Sequence, residues 1–337
     1  MAAHSRLHWG LLGTGRINRA VIPPIRSSNR SALLAVASRT QERAAAYASE
    51  WGIPRYHASY EALLQDHEID VVYISLPNSL HAEWSIRAMQ SGKHVLCEKP
   101  LTTSTIDMDK VIKTAQLTGM VIAEAYMYRH HPQTLLVKMM LDQGDIGSVQ
   151  LIRGSFSYTN TRPSDPRFSL NLGGGCLWDV GCYPIGYASF LTGKHPEEVY
   201  GQQITGPTGV DLFFAGQLIY PDQITCQFDC SFISEYKAEI EITGTKGRIT
   251  VPEPYKPGTK TRIIQKLSGQ EKIFKVKGQE LYQGEIIDIE DAVLLGELPR
   301  VSLQESRGII KTTEALYQSA RLSTYVSIQE LTNQEKF

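Results

Sequence analysis

Short apolar runs separated by longer, helix-like patterns organise the first third of the chain. Residues 7–12, 33–37, 71–76, 94–97 and 120–123 are apolar, several are β-branched, and Gly, Pro or Ser bounds them, which predicts buried strands. Between them, residues 41–50 and 81–90 have helix-forming composition, the second ending at Ser91-Gly92 where a glycine C-cap belongs. Strand, helix, strand in that rhythm predicts a parallel sheet wound by right-handed crossovers. From about residue 149 the pattern changes. Segments 149–159, 211–220, 223–232, 238–243, 248–251, 262–267 and 272–276 alternate apolar and polar positions and are joined by turns such as Pro221-Asp222 and Gly244-Thr245-Lys246-Gly247. They predict an antiparallel sheet, interrupted by a helical stretch at 173–191 and followed by helices at 285–295 and 303–324. The Pro-, Gly- and Lys-rich segment 252–260 predicts an exposed loop. No internal repeat or low-complexity tract is present.

The 337 residues suit about two domains. Lys plus Arg is 34 against 35 for Asp plus Glu, with no block of like charge, so neither a nucleic-acid nor a membrane surface is indicated and a small-molecule partner is expected. Residues 1–6 lack an apolar signal region and no stretch approaches the roughly 18 apolar residues of a membrane span, which predicts a cytoplasmic protein. Cys97, Cys176, Cys182, Cys226 and Cys230 form no CxxC and have no histidine at zinc-ligand spacing. They read as reduced thiols, with no metal site.

At Gly10-Leu-Leu-Gly13-Thr14-Gly15-Arg16-Ile17-Asn18 a strand runs through two glycines into a helix. Such a turn lets backbone approach a pyrophosphate, whose charge the helix N-terminus stabilises. Asn18 stands where the third glycine of that fingerprint belongs, so an ordinary strand-to-helix turn is the competing reading. After the next strand, Ser38-Arg39-Thr40 occupies the place where an NAD enzyme carries an acidic residue for the ribose. A guanidinium beside two hydroxyls suits a 2′-phosphate, which favours NADP over NAD; the alternative is a solvated loop arginine. The loop Leu76-Pro77-Asn78-Ser79-Leu80-His81 lies at the carboxyl edge of the sheet, where ligands of open α/β sheets bind. Asn78 and His81 there have two readings, contact with ribose or nicotinamide, or for His81 the start of a helix.

Glu98-Lys99-Pro100 follows the run 94–97, and the proline holds Lys99 extended at the mouth of a strand. A surface lysine before proline is the alternative. The run Gly173-Gly174-Gly175-Cys176-Leu177-Trp178-Asp179-Val180-Gly181-Cys182-Tyr183-Pro184 sharpens the reading. Asp179 and Tyr183 are four apart, on one face of a helical turn, and the glycines in front let backbone approach a ligand. Hydride transfer at an alcohol carbon needs a group to exchange the hydroxyl proton. A phenol with an ordinary pKa of about 10 is a poor base, but a lysine cation stabilises its phenolate. Lys99 with Tyr183 forms such a pair, and Asp179 orients a hydroxyl or the lysine; a core tyrosine with a helix-capping aspartate is the alternative.

Taken together, the turn at Gly13 to Ile17, Pro77-Asn78 with His81, Glu98-Lys99-Pro100, Glu124-Ala-Tyr-Met-Tyr-Arg129 with His131-Pro132, the glycine run through Tyr183, and Gly244-Thr-Lys-Gly247 resemble the glucose-fructose oxidoreductase and inositol dehydrogenase (Gfo/Idh/MocA) family. The resemblance implies an N-terminal Rossmann domain, residues 1–125, and a C-terminal α+β domain, residues 126–337, with a large open, mostly antiparallel sheet. Helix 303–324 is expected to pack back on the first domain. It further implies homodimers or homotetramers, and action of Lys99 and Tyr183 on a sugar or polyol hydroxyl. Tyrosine at 183 with Ser38-Arg39 is similar to the NADP-using branch of glucose-fructose oxidoreductase, xylose 1-dehydrogenases and dihydrodiol dehydrogenases. The absence of a signal segment or long N-terminal arm argues against tightly held cofactor. Glu98 and Arg129, with His131 beside it, are expected to line the cofactor cleft; Arg167 meets nicotinamide or substrate, or forms a loop salt bridge. The expected activity is an NADP-dependent sugar dehydrogenase or ketoreductase, with a nicotinamide-dependent glycosidase or a non-catalytic sugar sensor as alternatives. Substrate specificity is expected from loop 160–171 and the face of the second sheet.

Overall fold

The computed structural model describes residues 6–162 and 164–329, so the expectations for residues 1–5, for Pro163 of loop 160–171 and for 330–337 lie outside the described residues. The chain forms two compact units. The first runs to Thr102 and adds Ile106–Met127 and Tyr282–Ser306; the second takes Thr103–Thr105, Tyr128–Leu281 and the chain from Arg307.

The first unit contains a six-stranded parallel sheet built from β1 (Leu7–Leu12), β2 (Ser31–Ala37), β3 (Arg55–His57), β4 (Val71–Ile74), β5 (His94–Glu98) and β6 (Ile122–Ala125) in the order 3-2-1-4-5-6. Its helices are α1 (Asn18–Ser27), α2 (Gln41–Trp51), α3 (Tyr60–Leu64), α4 (His81–Gln90) and α5 (Thr105–Thr118). The strands are buried, as parallel strands covered on two faces must be: Val71 to Ile74 are all inaccessible. Thr40 caps α2 by accepting the Arg43 amide, and left-handed Gly52 closes it. The strand order reverses between β1 and β4, which makes the carboxyl ends of those strands the ligand-binding edge of such a sheet. The three-residue β3 is too short to leave a periodic signal.

The expected boundary at 125/126 is corrected by the return of α8 (Gln283–Leu294) to this unit. Ile286 and Ile289 join the core of Trp9, Val21, Ile25 and Leu33. Arg30 fastens the same helix, reaching Glu290 at 3.0 Å and Asp291 at 2.7 Å. Apolar burial between segments some 250 residues apart has no local signature.

The second unit holds a nine-stranded sheet: β7 (Val149–Ser157), β8 (Glu198–Thr205), β9 (Asp211–Ile219), β10 (Thr225–Ser231), β11 (Lys237–Gly244), β12 (Gly247–Pro252), β13 (Lys260–Leu267), β14 (Gln270–Lys277) and β15 (Val326–Ser327). The order is 14-13-12-11-7-10-9-8-15, antiparallel except where β7 lies parallel to β10. α6 (Pro132–Asp142) and α7 (Cys182–Thr192) pack on it. So does α9 (Leu303–Leu322) from Arg307 onward, while its first residues, to Ser306, belong to the first unit. Glycines at 201 and 216 leave a flat floor for Leu316, and the Ser319 hydroxyl accepts the Gly201 amide at 3.0 Å. The segment 252–260 joins β12 to β13 as a loop exposed at Glu253, Lys256, Gly258 and Thr259, as expected, while Pro254, Tyr255 and Pro257 are buried. Another face of the sheet, with Arg153, Gln217, Gln227, Lys237 and Glu239, forms a shallow open concavity. No helix among the described residues is long and apolar enough to cross a membrane.

Candidate active site

In the first unit, the glycine turn leaves β1 and enters α1. Gly13 has φ +99°, and a Cβ on Gly15 would stand 2.8 Å from the Ser75 carbonyl oxygen, so both positions require glycine. Asn18, at the third fingerprint position, is fully buried and donates from Nδ2 to the Gly13 carbonyl at 3.0 Å. It closes the turn from inside instead of weakening it. Thr14 and Gly15 are partly exposed, Arg16 is exposed, and Ile17 packs on the core.

Ser38, at the end of β2, is buried and donates its amide to His57 O. Arg39 is exposed beside it, and Thr40 is spent on the helix cap. Arg43, one helical turn on, donates from Nε to the Thr14 hydroxyl at 2.8 Å. Burial raises the Tyr60 phenol, and the charges of Arg39 and Arg43 both oppose that rise. Two guanidiniums therefore share the end of β2 beside a cradle that tolerates no Cβ, which fits a dinucleotide with a 2′-phosphate. Arg43 was not among the expected residues; its signal is Arg-x-x-x-Arg spanning the start of a helix.

His81 is corrected. It is buried, with Nδ1 2.7 Å from Pro100 O and Nε2 2.8 Å from Leu76 O, so neither ring nitrogen is turned to ribose or nicotinamide. Burial pushes its pKa down, and the neutral ring donates to one carbonyl at a time. It begins α4 and braces the loop of Leu76, Pro77 and partly exposed Asn78 against Pro100.

Lys99 follows β5, half-buried. Glu98 accepts the Tyr73 hydroxyl at 2.5 Å. Glu124, paired across β5 and β6 with Cys97, accepts the Leu101 amide at 2.8 Å. Burial pushes Glu124 up to about 7, against hydrogen bonds from Ser306 and Leu101 and the charge of Lys99.

In the second unit, Asp179 lies in a π-helical turn, Leu177–Gly181, that runs into α7. Such turns are frequent at functional sites. Its Oδ2 receives Arg167 Nε at 2.8 Å and the Tyr158 hydroxyl at 2.9 Å. Arg167 also reaches Asp165 at 3.2 Å, so of its two readings the structure shows the salt bridge. The charge of Asp179 chiefly raises the Arg167 pKa, and burial with that charge raises Tyr158. Tyr158, just after β7, and Asp165, which pairs with Arg167, were not foreseen, because these contacts have no periodic signal in the chain.

The glycine run is filled by protein, not left open for a ligand. A Cβ on Gly174 would meet Arg167 O at 2.4 Å, and one on Gly175 would meet Asp211 Oδ1 at 2.1 Å. Tyr183 is 4% exposed, its ring centre 5.2 Å from Phe156, 5.5 Å from Tyr255 and 5.8 Å from Tyr128. The buried Arg129 guanidinium lies 3.9 Å from the centre of Phe190. His131 is buried as the cap of α6.

A sequence profile described as "Oxidoreductase family, NAD-binding Rossmann fold" (GFO_IDH_MocA) matches residues 7–126, and one described as "GFO/IDH/MocA C-terminal domain" matches 134–250. The chain is 35% identical to D-xylose 1-dehydrogenase (NADP(+)) 2 of Haloferax volcanii, covering 95% of this chain and 99% of that protein. It is 30% identical to a dTDP-3,4-didehydro-2,6-dideoxy-alpha-D-glucose 3-reductase of Actinomadura kijaniata, over 93% of this chain and 95% of that one. Among solved structures, a 3-ketoreductase from Actinomadura kijaniata in complex with NADP and TDP-benzene superposes with a TM-score of 0.89 at 29% identity, covering 93% and 98% of the two chains. The chain belongs to the Gfo/Idh/MocA oxidoreductase family, as its motifs implied.

Proposed function

We propose that this chain is an NADP-dependent dehydrogenase or ketoreductase acting on a hydroxyl-bearing carbon of a sugar or sugar-like substrate. The observation that carries the reading is the near full-length kinship with an NADP-dependent xylose dehydrogenase. Arg43 on the Thr14 hydroxyl, with Arg39 near it at the end of β2, supports the phosphorylated cofactor over NAD. When bound, NADP supplies the hydride acceptor or donor. Gly13, Thr14, Gly15, Arg16 and Ile17 would hold its pyrophosphate, and Leu76, Pro77, Asn78 and Glu98 its nicotinamide half.

Tyr183 exchanges the substrate hydroxyl proton, a contribution of about 10² to 10⁴ in rate. Lys99 stabilises the phenolate and the charged substrate oxygen. Asp179, fastened by Arg167 and Tyr158, orients the hydroxyl as a fixed carboxylate. We further propose a cytoplasmic homo-oligomer that uses the open face of the nine-stranded sheet.

NADPH absorbance with NADP and, separately, NAD against a panel of aldoses, inositols, anhydro-sugars and trans-dihydrodiols tests the reading. Turnover of an aldose with NADP supports it. Silence across the panel and in the reductive direction, with cofactor still bound by fluorescence titration, overturns it in favour of a glycosidase or sensor.

A further inference from the structure

Asp211, the first residue of β9, is 3% exposed, and its carboxylate gathers three donors. Oδ2 accepts the Leu177 amide at 2.7 Å and the Cys176 thiol at 3.0 Å, while Oδ1 accepts the Tyr317 hydroxyl at 2.7 Å. None of these donors is charged. They come from the two residues that open the helical run into α7 and from α9, segments far apart in sequence. The carboxylate stands at the positive end of that run, where an acceptor caps unpaired amides and a negative charge is stabilised.

Several contacts make this seat rigid. Gly175, with φ +122°, has no room for a Cβ because Asp211 Oδ1 would lie 2.1 Å from it. Tyr317 packs edge-on against Phe214 at 5.7 Å and tilted against Trp178 at 5.9 Å, and Trp178 adjoins Asp179. Cys176 Sγ is 3.7 Å from Cys230 Sγ, and a Cβ on Gly181 would lie 2.9 Å from that same sulfur. The turn bearing Asp179 therefore cannot slide along its axis without breaking the Asp211 bonds or striking Cys230.

We propose that Asp211 is a positioning residue for proton transfer, seating the π turn and α7 so that Asp179 and Tyr183 hold their working orientation. The proposal rests on the reading that Tyr183 moves the proton. A carboxylate that only stabilised the fold would change the melting temperature, not the rate or pH profile of the folded enzyme.

The test compares Asp211→Ala, Asp211→Asn, Tyr317→Phe and Tyr183→Phe, using NADP and the aldose that turns over fastest in the panel, well below each melting temperature. Asp211→Ala is expected to lower kcat by about 10- to 100-fold, the scale of a misplacement near 1 Å. NADPH affinity should stay within about twofold, since the glycine turn, Arg39 and Arg43 belong to the first unit, and the pH profile of kcat should shift. Asp211→Asn keeps an acceptor for the Leu177 amide and should recover most of the loss; Tyr317→Phe should show the same signature more weakly. Normal kcat and pH profile in Asp211→Ala overturn the proposal. Should that variant not fold, unchanged kcat and profile in both Asp211→Asn and Tyr317→Phe overturn it equally. An inactive Tyr183→Phe beside fully active Asp211 variants removes this proposal alone, whereas an active Tyr183→Phe removes the reading beneath it as well.

Discussion

The two units hold their candidate functional residues in opposite ways. In the first, the cofactor cradle is local: Gly13, Gly15 and Asn18 fall within one strand-to-helix turn, and Arg39, Thr40 and Arg43 within one helix start. Backbone conformation does most of the work there, so a short motif encodes it. In the second, Asp179 and Tyr183 are set by side chains from many segments, Tyr158 just past β7, Arg167 in a short 3-10 turn, Asp211 on β9, Tyr255 after β12 and Tyr317 on α9. A backbone cradle tolerates outside change and fails on a single added methyl group, whereas a side-chain shell spreads its dependence over partners.

The sharpest way to break that comparison is to strike the two chemical groups. Tyr183→Phe and Lys99→Ala should each lose about 10² to 10⁴ in kcat with NADPH affinity kept, measured by steady-state kinetics and fluorescence titration; near-normal turnover in both ends the mechanism. Next, Gly15→Ala drives a Cβ to 2.8 Å from the Ser75 carbonyl. It should weaken NADPH binding at least about tenfold, some 1.4 kcal/mol, while the melting of the second unit stays put.

Arg43→Ala should weaken NADP by about tenfold through loss of a charge-assisted hydrogen bond while leaving NAD within about twofold, and equal losses for both cofactors would count against a 2′-phosphate role. The Glu124 carboxyl titrates at about 7 in the folded chain, above its ordinary 4.5, so the folded state holds a proton that the unfolded chain releases. That stabilisation is full below about 4.5 and is lost as pH rises to about 7. Glu124→Gln, which keeps the oxygen that accepts Leu101, should flatten the melting temperature across this window; an unchanged slope would assign the dependence elsewhere. Smallest of all, Tyr255→Phe should change stability by less than about 1 kcal/mol in denaturant titration, because the buried Tyr255 hydroxyl has no hydrogen-bond partner among the described residues.

What sequence alone determined is the local part. Apolar runs and their punctuation place β1 and α4 to the residue, the change of period marks the second sheet, and Gly13 to Ile17 with Glu98-Lys99-Pro100 and Asp179-Val-Gly-Cys-Tyr183 carry the family resemblance. Period, turn residues and helix caps act over a few positions, so they are readable without a fold. Tertiary structure alone decided that α8 returns to the first core, that His81 serves two backbone carbonyls, that the glycine run is filled by Arg167 and Asp211, and that Arg167 clamps Asp179. Each of these is a contact across a long stretch of chain, fixed by burial and by the need of buried polar groups for partners. Such contacts have no period and no spacing, so they exist only once the sheet has brought the segments together.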